Sequence, residues 1–400
     1  MTASPTFRST LLSQRAADIQ PFHVMELLRR ARELEAQGRD IIHMEVGEPD
    51  FGTPAPVVEA ATRFLAGGDV HYTPALGLPA LREAIARFYH DRFGADVAPE
   101  RIVVTAGASG ALMLALAATT DPGDEWLLPD PGYPSNRHLI RAFEGVARAL
   151  AVDAASRYQP RPEQVDAAWG ERTRGLMVAT PSNPTGTLLS VAEIAALHRR
   201  TRARGGVLLV DEIYQGLTYG VESASALGDP VLNAADDVFV VNSFSKYFGM
   251  TGWRLGWLVA PAGFVRELEK LAQHFFISPS TPAQHAALAA FAPATIAILE
   301  ERRHEFAQRR DVLLPALRAL GFGIAAEPQG AFYVYADVSA LADDSEALAR
   351  RMIEEAGVAA TPGLDFGHHL PRHHLRIAYT THGARLLEAA ERIRRLGLGS

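Results

Sequence analysis

Ser243-Phe244-Ser245-Lys246-Tyr247-Phe248-Gly249-Met250-Thr251-Gly252-Trp253-Arg254-Leu255-Gly256-Trp257 is the stretch from which the rest of the chain can be read. It follows Val238-Phe239-Val240-Val241, a continuous apolar run of the kind that forms a buried strand. A lysine thus stands just past a strand end and before a glycine-rich turn, with an arginine eight positions on. Among the 39 basic residues only Lys246 and Lys270 are lysine. A guanidinium stays protonated and forms no Schiff base, whereas a desolvated amine can lose its proton and attack a carbonyl. Lys246 therefore reads as a chemical residue. Lys270 is the control: it lies in Val265-Arg266-Glu267-Leu268-Glu269-Lys270-Leu271, an amphipathic helical pattern in which Glu267 at i−3 can pair with it.

Ser243-x-Ser245-Lys246 followed by Gly252-Trp253-Arg254-Leu255-Gly256-Trp257 resembles the cofactor-lysine signature of the class I/II aminotransferases of fold type I, the aspartate aminotransferase-like enzymes. The resemblance implies that Lys246 carries pyridoxal 5'-phosphate as an aldimine, with Ser243, Ser245 and Arg254 around it and Ser243 and Arg254 on the phosphate. A strand end and turn with an incidental lysine is the alternative reading of the stretch alone.

Composition sets the frame. Four hundred residues with 48% hydrophobic content can fill two cores. A net charge of −7 with mixed signs gives no basic stripe, so nucleic acid is not an expected partner. The chain has no cysteine, which excludes disulfides and thiolate chemistry and fits a cytoplasmic address. Met1 to Gln20 lacks a continuous apolar core of signal-peptide length and reads as a frayed terminus, and no later stretch reads as a membrane span.

Several further strand ends carry polar residues. Ile41-Ile42-His43-Met44-Glu45-Val46 reads as a strand entering the turn Gly47-Glu48-Pro49-Asp50-Phe51. Ile102-Val103-Val104-Thr105 leads through Ala106-Gly107-Ala108-Ser109-Gly110 into a helix expected from Ala111 to Ala118, an arrangement that aims backbone N–H groups at an anion. Gly175-Leu176-Met177-Val178-Ala179 runs into Thr180-Pro181-Ser182-Asn183-Pro184, and Val207-Leu208-Leu209-Val210 ends at Asp211-Glu212-Ile213-Tyr214. Open parallel sheets gather ligand sites at such ends.

By the resemblance, Gly107, Ala108 and Ser109 hold the phosphate, Tyr133 stacks on the cofactor ring, and Asn183 and Tyr214 bond its phenolic oxygen. Asp211 keeps the ring nitrogen protonated. Asn183, Gly47 and Arg376 take the substrate, Arg376 through its α-carboxylate. Tyr72, in His71-Tyr72-Thr73-Pro74, reaches the phosphate of a neighbouring subunit, which implies a homodimer with shared sites. Taken alone, Gly47 is a turn glycine, Tyr72 a half-buried loop aromatic, the Gly107 loop a tight connection, Asp211 a helix cap and Arg376 a surface strand residue.

The fold so implied is α/β: a large domain with a mostly parallel seven-stranded sheet between helices, and a smaller α+β domain formed by both chain ends. Residues 1–48 are expected to form the N-terminal segment and part of the small domain, 49–290 the large cofactor domain, and 291–400 the small C-terminal domain. A long helical pattern from Ile296 to Leu320 is expected to kink or restart at Pro315. The implied activity is ping-pong transfer of an amino group between an L-amino acid and a 2-oxo acid. A C–S β-lyase on the same cofactor and a non-catalytic cofactor-binding sensor stay open. His368, His369, His373 and His374 read as crowding one loop, but with Asp365 as the one nearby carboxylate and no helical ligand spacing they do not read as a metal site. Arg137 or one of these histidines is a candidate second cation for a dicarboxylic substrate, while Phe22, Phe275 and Phe276 are candidates for an apolar site.

Overall fold

The computed structural model describes residues 12–398; the reading of the N-terminal segment over residues 1–11, like the last two residues of the C-terminal one, lies outside them. Twelve strands are described: β1 (Ile42–His43), β2 (Ile102–Thr105), β3 (Glu125–Asp130), β4 (Val146–Ala151), β5 (Thr173–Ala179), β6 (Val207–Asp211), β7 (Val238–Ser243), β8 (Gly256–Val259), β9 (Tyr333–Asp337), β10 (Val358–Ala359), β11 (Thr361–Pro362) and β12 (His374–Ala378). Seven of them form one sheet in the order β2-β8-β7-β6-β5-β3-β4. Strand β8 is antiparallel to β2 and β7, and the other pairings are parallel.

The apolar runs are continuous because both faces of this sheet are covered. Alternate residues feed different cores: Val104, Leu208, Val210, Val238, Val240 and Trp257 pack on one side, and Val103, Leu209, Phe239, Val241 and Leu258 on the other. The second core is roofed by the helix Gly107–Thr119, which is apolar on nearly every side as a fully buried helix must be. That helix starts four residues earlier than the sequence suggests, directly at the strand exit.

A three-stranded antiparallel sheet, β11-β12-β9, and a parallel pair, β1-β10, make the smaller unit and join the two ends of the chain. The fold is thus the α/β architecture that the resemblance implied. Two local expectations are corrected. The strand expected over 41–46 forms a ladder only at Ile42–His43, because the carbonyls of Glu45, Val46 and Gly47 accept from Arg376, Thr380 and Lys246 instead of from a neighbouring strand. The helix Pro293–Ala319 runs through Pro315 without a break. Its buried side chains, Leu299, Phe306, Leu313, Leu314 and Leu317 among them, hold it across the one backbone bond that proline removes. Among the described residues no single helix is long and apolar enough to cross a membrane.

Candidate active site

A cavity of about 620 Å³ opens where the parallel strands end. Its floor is set by two glycines. Gly107, at φ +71°, begins the helix after β2, and a Cβ there would lie 2.6 Å from the Arg254 guanidinium. Gly256 brings β8 close, since its Cβ would fall 2.7 Å from the backbone of Gly107. Arg254 is itself in the left-handed region at φ +50°, a conformation that bulky residues adopt only when their surroundings impose it. Its Nη1 donates to the Thr251 carbonyl at 3.0 Å and to Ser245 Oγ at 3.3 Å. A helix N-terminus with Ala108 and Ser109 in the wall and a guanidinium beside it is a site for a doubly charged anion. Ser245 lines the cavity. The Ser243 hydroxyl lies behind it, fully buried, donating to the Leu255 carbonyl at 3.0 Å and sitting 2.9 Å from Ser245 Oγ.

Lys246 projects into the centre, and its Nζ donates to the Gly47 carbonyl at 2.6 Å. Burial pulls its amine down from the ordinary 10.5 to about 8; Glu48 opposes the shift, and Arg376 and Arg254 add to it. Asp211 ends β6 inside the cavity wall, with Oδ1 accepting the Ile213 N–H at 3.0 Å. No helix follows it, so it is not a helix cap. Burial pushes its carboxyl up to about 6. A buried carboxylate without a cation is a group short of a partner. The Tyr214 hydroxyl is 2.8 Å from that of Tyr333, and burial raises its pKa.

Arg376 sits in the middle of β12, all five residues of which are buried, so it is not a surface arginine. Its guanidinium lies over the rings of Tyr333 at 4.5 Å and Phe366 at 4.8 Å. Nη1 donates to Asn183 Oδ1 at 3.1 Å and Nη2 to the Glu45 carbonyl, while Nε is buried with no partner. Gly47 is required at its position because a Cβ would run into the Tyr333 hydroxyl. Tyr133 lines the cavity next to Phe22, their ring centres 6.4 Å apart.

Gly47, Ala108, Ser109, Tyr133, Asn183, Asp211, Tyr214, Ser245, Lys246, Arg254 and Arg376 therefore share one cavity, with Gly107 and Ser243 directly behind it. Tyr72 does not join them; it is 80% exposed. Phe22 is in the wall, whereas Phe275 and Phe276 are not. Arg137 lines a smaller cavity that adjoins this one across Tyr133, Asn183 and Phe366, and it donates to the Asp365 carbonyl at 2.9 Å. The four histidines do not share one loop. His374 belongs to β12 and stacks on Tyr335 at 4.6 Å, while the N–H groups of His368 and His369 are held by Asp130. Among the described residues no group of three or more His, Asp or Glu is placed to hold a metal ion. Lys270 pairs with Glu267 on a helix surface.

Sequence reasoning missed Tyr333, Phe366, Asp365 and the Thr251–Glu48 hydrogen bond of 2.6 Å. Gly330-Ala331-Phe332-Tyr333, a glycine just before a strand rich in aromatics, was the one available signal for the first.

The chain matches the family of aminotransferases of class I and II over residues 39–393. It is 38% identical over 378 residues to a valine–pyruvate aminotransferase of Mycobacterium tuberculosis, covering 94% of this chain and 96% of the relative. It is also 38% identical over 387 residues to an aspartate/prephenate aminotransferase of Thermus thermophilus, covering 96% and 98%. A crystal structure of an aminotransferase from Mycobacterium tuberculosis superimposes with a TM-score of 0.92 at 36% identity, covering 97% of this chain and 99% of that one. The chain belongs to the class I and II aminotransferases, pyridoxal-phosphate enzymes that move amino groups between amino acids and 2-oxo acids.

Proposed function

We propose that Lys246 is the amine that carries pyridoxal phosphate and moves the substrate proton, that Arg376 and Asn183 hold the substrate α-carboxylate, and that turnover is ping-pong. The observation that carries this is the convergence, in one cavity, of a lysine with its pKa pulled down to about 8, a buried carboxylate without a cation and an arginine with a buried, unpartnered Nε.

These residues fit the cofactor. The close approach that Gly107 permits beside Arg254 suits a phosphate, and Asp211 lacks the positive partner that a protonated ring nitrogen provides. Pyridoxal phosphate, when bound, supplies an electron-withdrawing ring that makes the α-hydrogen of an amino acid acidic. Everything else is the work of the chain. Burial brings the Lys246 amine down to about 8, so it gives up its proton more readily than an ordinary lysine, to attack a carbonyl and afterwards to take and return a proton at Nζ. Arg376, lying over the rings of Tyr333 and Phe366 and fixed by Asn183 and Glu45, presents a preset fork to a carboxylate. Tyr214, Ser243, Ser245, Ala108, Ser109 and Tyr133 are assigned to the cofactor and Gly47 to the substrate.

We further infer a cytoplasmic homodimer. Tyr72 is 80% exposed and outside its own cavity, and Val58, Leu65 and Val70 on the same stretch are exposed as well, as a subunit contact would need. Mixing Lys246→Ala and Tyr72→Phe proteins tests this, since hybrid dimers would regain one complete site. The main test incubates the cofactor-loaded enzyme with an amino acid and no oxo acid. Release of one equivalent of the matching 2-oxo acid per site is expected. Continuous release of pyruvate and ammonia from a cysteine thioether would overturn the reading in favour of a β-lyase.

A further inference from the structure

We propose, resting on the aminotransferase reading, that the physiological amino donor carries an apolar side chain. It is read by Phe22, Val24, Met25 and Leu28 at the start of the helix His23–Ala36, which Asp365 fastens over the cavity.

The charges of the cavity lead to this. Its lining contains three cations, and each is already committed: Lys246 to amine chemistry, Arg254 to the anion at the helix start, and Arg376 to the α-carboxylate. Within one subunit, no fourth cation among the described lining residues is left for a second carboxylate. Glu48, Asp211 and Asp365 in the same wall would repel one. Arg137, in the adjoining smaller cavity of about 90 Å³, is the other candidate, but its Nη2 serves the Asp365 carbonyl and the carboxylates of Asp130 and Asp365 lie close to it. An acidic side chain desolvated here without a partner is disfavoured, whereas an aliphatic one is favoured by each methylene it buries.

The wall is built to stay in place. Phe22 gives the helix no side-chain cap, so the N–H groups of its first two residues would be orphans. The Asp365 carboxylate, more than 340 residues away in sequence, accepts both, from His23 at 2.7 Å and from Val24 at 2.9 Å. Asp365 is itself buried. Val24 and Leu28, one helical turn apart, then present one apolar face to the cavity, and Phe22 rests near Tyr133. Asp365 is a positioning residue, and the four apolar side chains determine specificity.

The test uses the cofactor-loaded enzyme with leucine, valine and methionine against aspartate and glutamate, comparing kcat/KM. Calorimetric binding of the unreactive acids 4-methylpentanoate and succinate is read in parallel. Leucine is expected to exceed aspartate by about a hundredfold or more, and 4-methylpentanoate to bind more tightly than succinate. Leu28→Arg, or Val24→Lys on the same face, is expected to narrow the leucine-to-aspartate ratio at least ~10-fold by supplying the missing cation. Equal or better use of aspartate or glutamate, or a ratio unmoved by both variants, would overturn the side-chain assignment and leave the aminotransferase reading standing. Absence of turnover with every amino acid would instead overturn the aminotransferase reading, and this assignment with it.

Discussion

The floor and the wall of the cavity are built in opposite ways. The floor (Gly107, Asn183, Asp211, Lys246 and Arg254) comes from residues within a few positions of strands β2, β5, β6, β7 and β8, all in one sheet. The wall (Gly47, Tyr333, Asp365, Arg376 and the start of the helix His23–Ala36) joins residues 22–48 to residues 333–376 through hydrogen bonds spanning more than 330 positions. On the proposed assignment, the sheet fixes the groups that stay in register with the cofactor, and contacts between the chain ends fix the groups that meet substrates. Floor variants should therefore abolish chemistry or cofactor retention, and wall variants should change affinity and selectivity.

The largest expected effect is from Lys246→Ala, a loss of about 10⁴-fold in kcat with the fold intact by circular dichroism. Residual turnover within tenfold of the parent would break the distinction at its strongest point. Asp211→Asn preserves shape and the Ile213 hydrogen bond while removing the charge, and is expected to lower kcat by about a hundredfold or more with cofactor binding weakened. Arg376→Lys, on the wall, should raise KM for the amino acid by about 10- to 100-fold with cofactor retention unchanged, because an ammonium cannot serve two oxygens in the arginine geometry. Loss of cofactor in that variant would show that floor and wall are not separable. Asp365→Ala removes the tertiary cap and is expected to cost about 1 kcal/mol of stability, with a few-fold rise in KM, measured by denaturant melts and steady-state kinetics.

The pH dependence of Lys246 sharpens the same contrast. Its folded pKa, about 8, lies below the ordinary 10.5, so between those values the unfolded chain binds a proton that the folded chain does not. Stability contributed at this site therefore rises with pH across that window. Cofactor-free Lys246→Met is expected to be more stable than the parent at pH 7, with the gap shrinking towards pH 10.5. A gap constant with pH would mean that the amine is not perturbed.

The same contrast explains what was legible in the sequence. The floor could be read because a buried parallel strand leaves a continuous apolar run and the functional residue stands at its end, as Asp211 does after Val207–Val210. The rarity of lysine made Lys246 conspicuous. The wall was harder. Arg376 was reached only through the resemblance, since its strand alternation could equally have placed it on a surface. Asp365 was missed because capping a helix more than 340 positions earlier leaves no local pattern. Tyr333 was missed because its hydroxyl matters only once Gly47 and Tyr214 have been brought against it. The short β1 escaped for a similar reason: long-range side-chain donors took the carbonyls that a strand would have used.

The presence of only two lysines makes one measurement decisive. Protein loaded with pyridoxal phosphate is reduced with borohydride, digested and analysed by mass spectrometry. The expected result is a single pyridoxyl-phosphate adduct on the peptide containing Lys246, prevented when an amino donor is added before reduction. An adduct on Lys270, or none on either lysine in protein that retains the cofactor, would contradict the assignment of Lys246 as the residue around which the site is built.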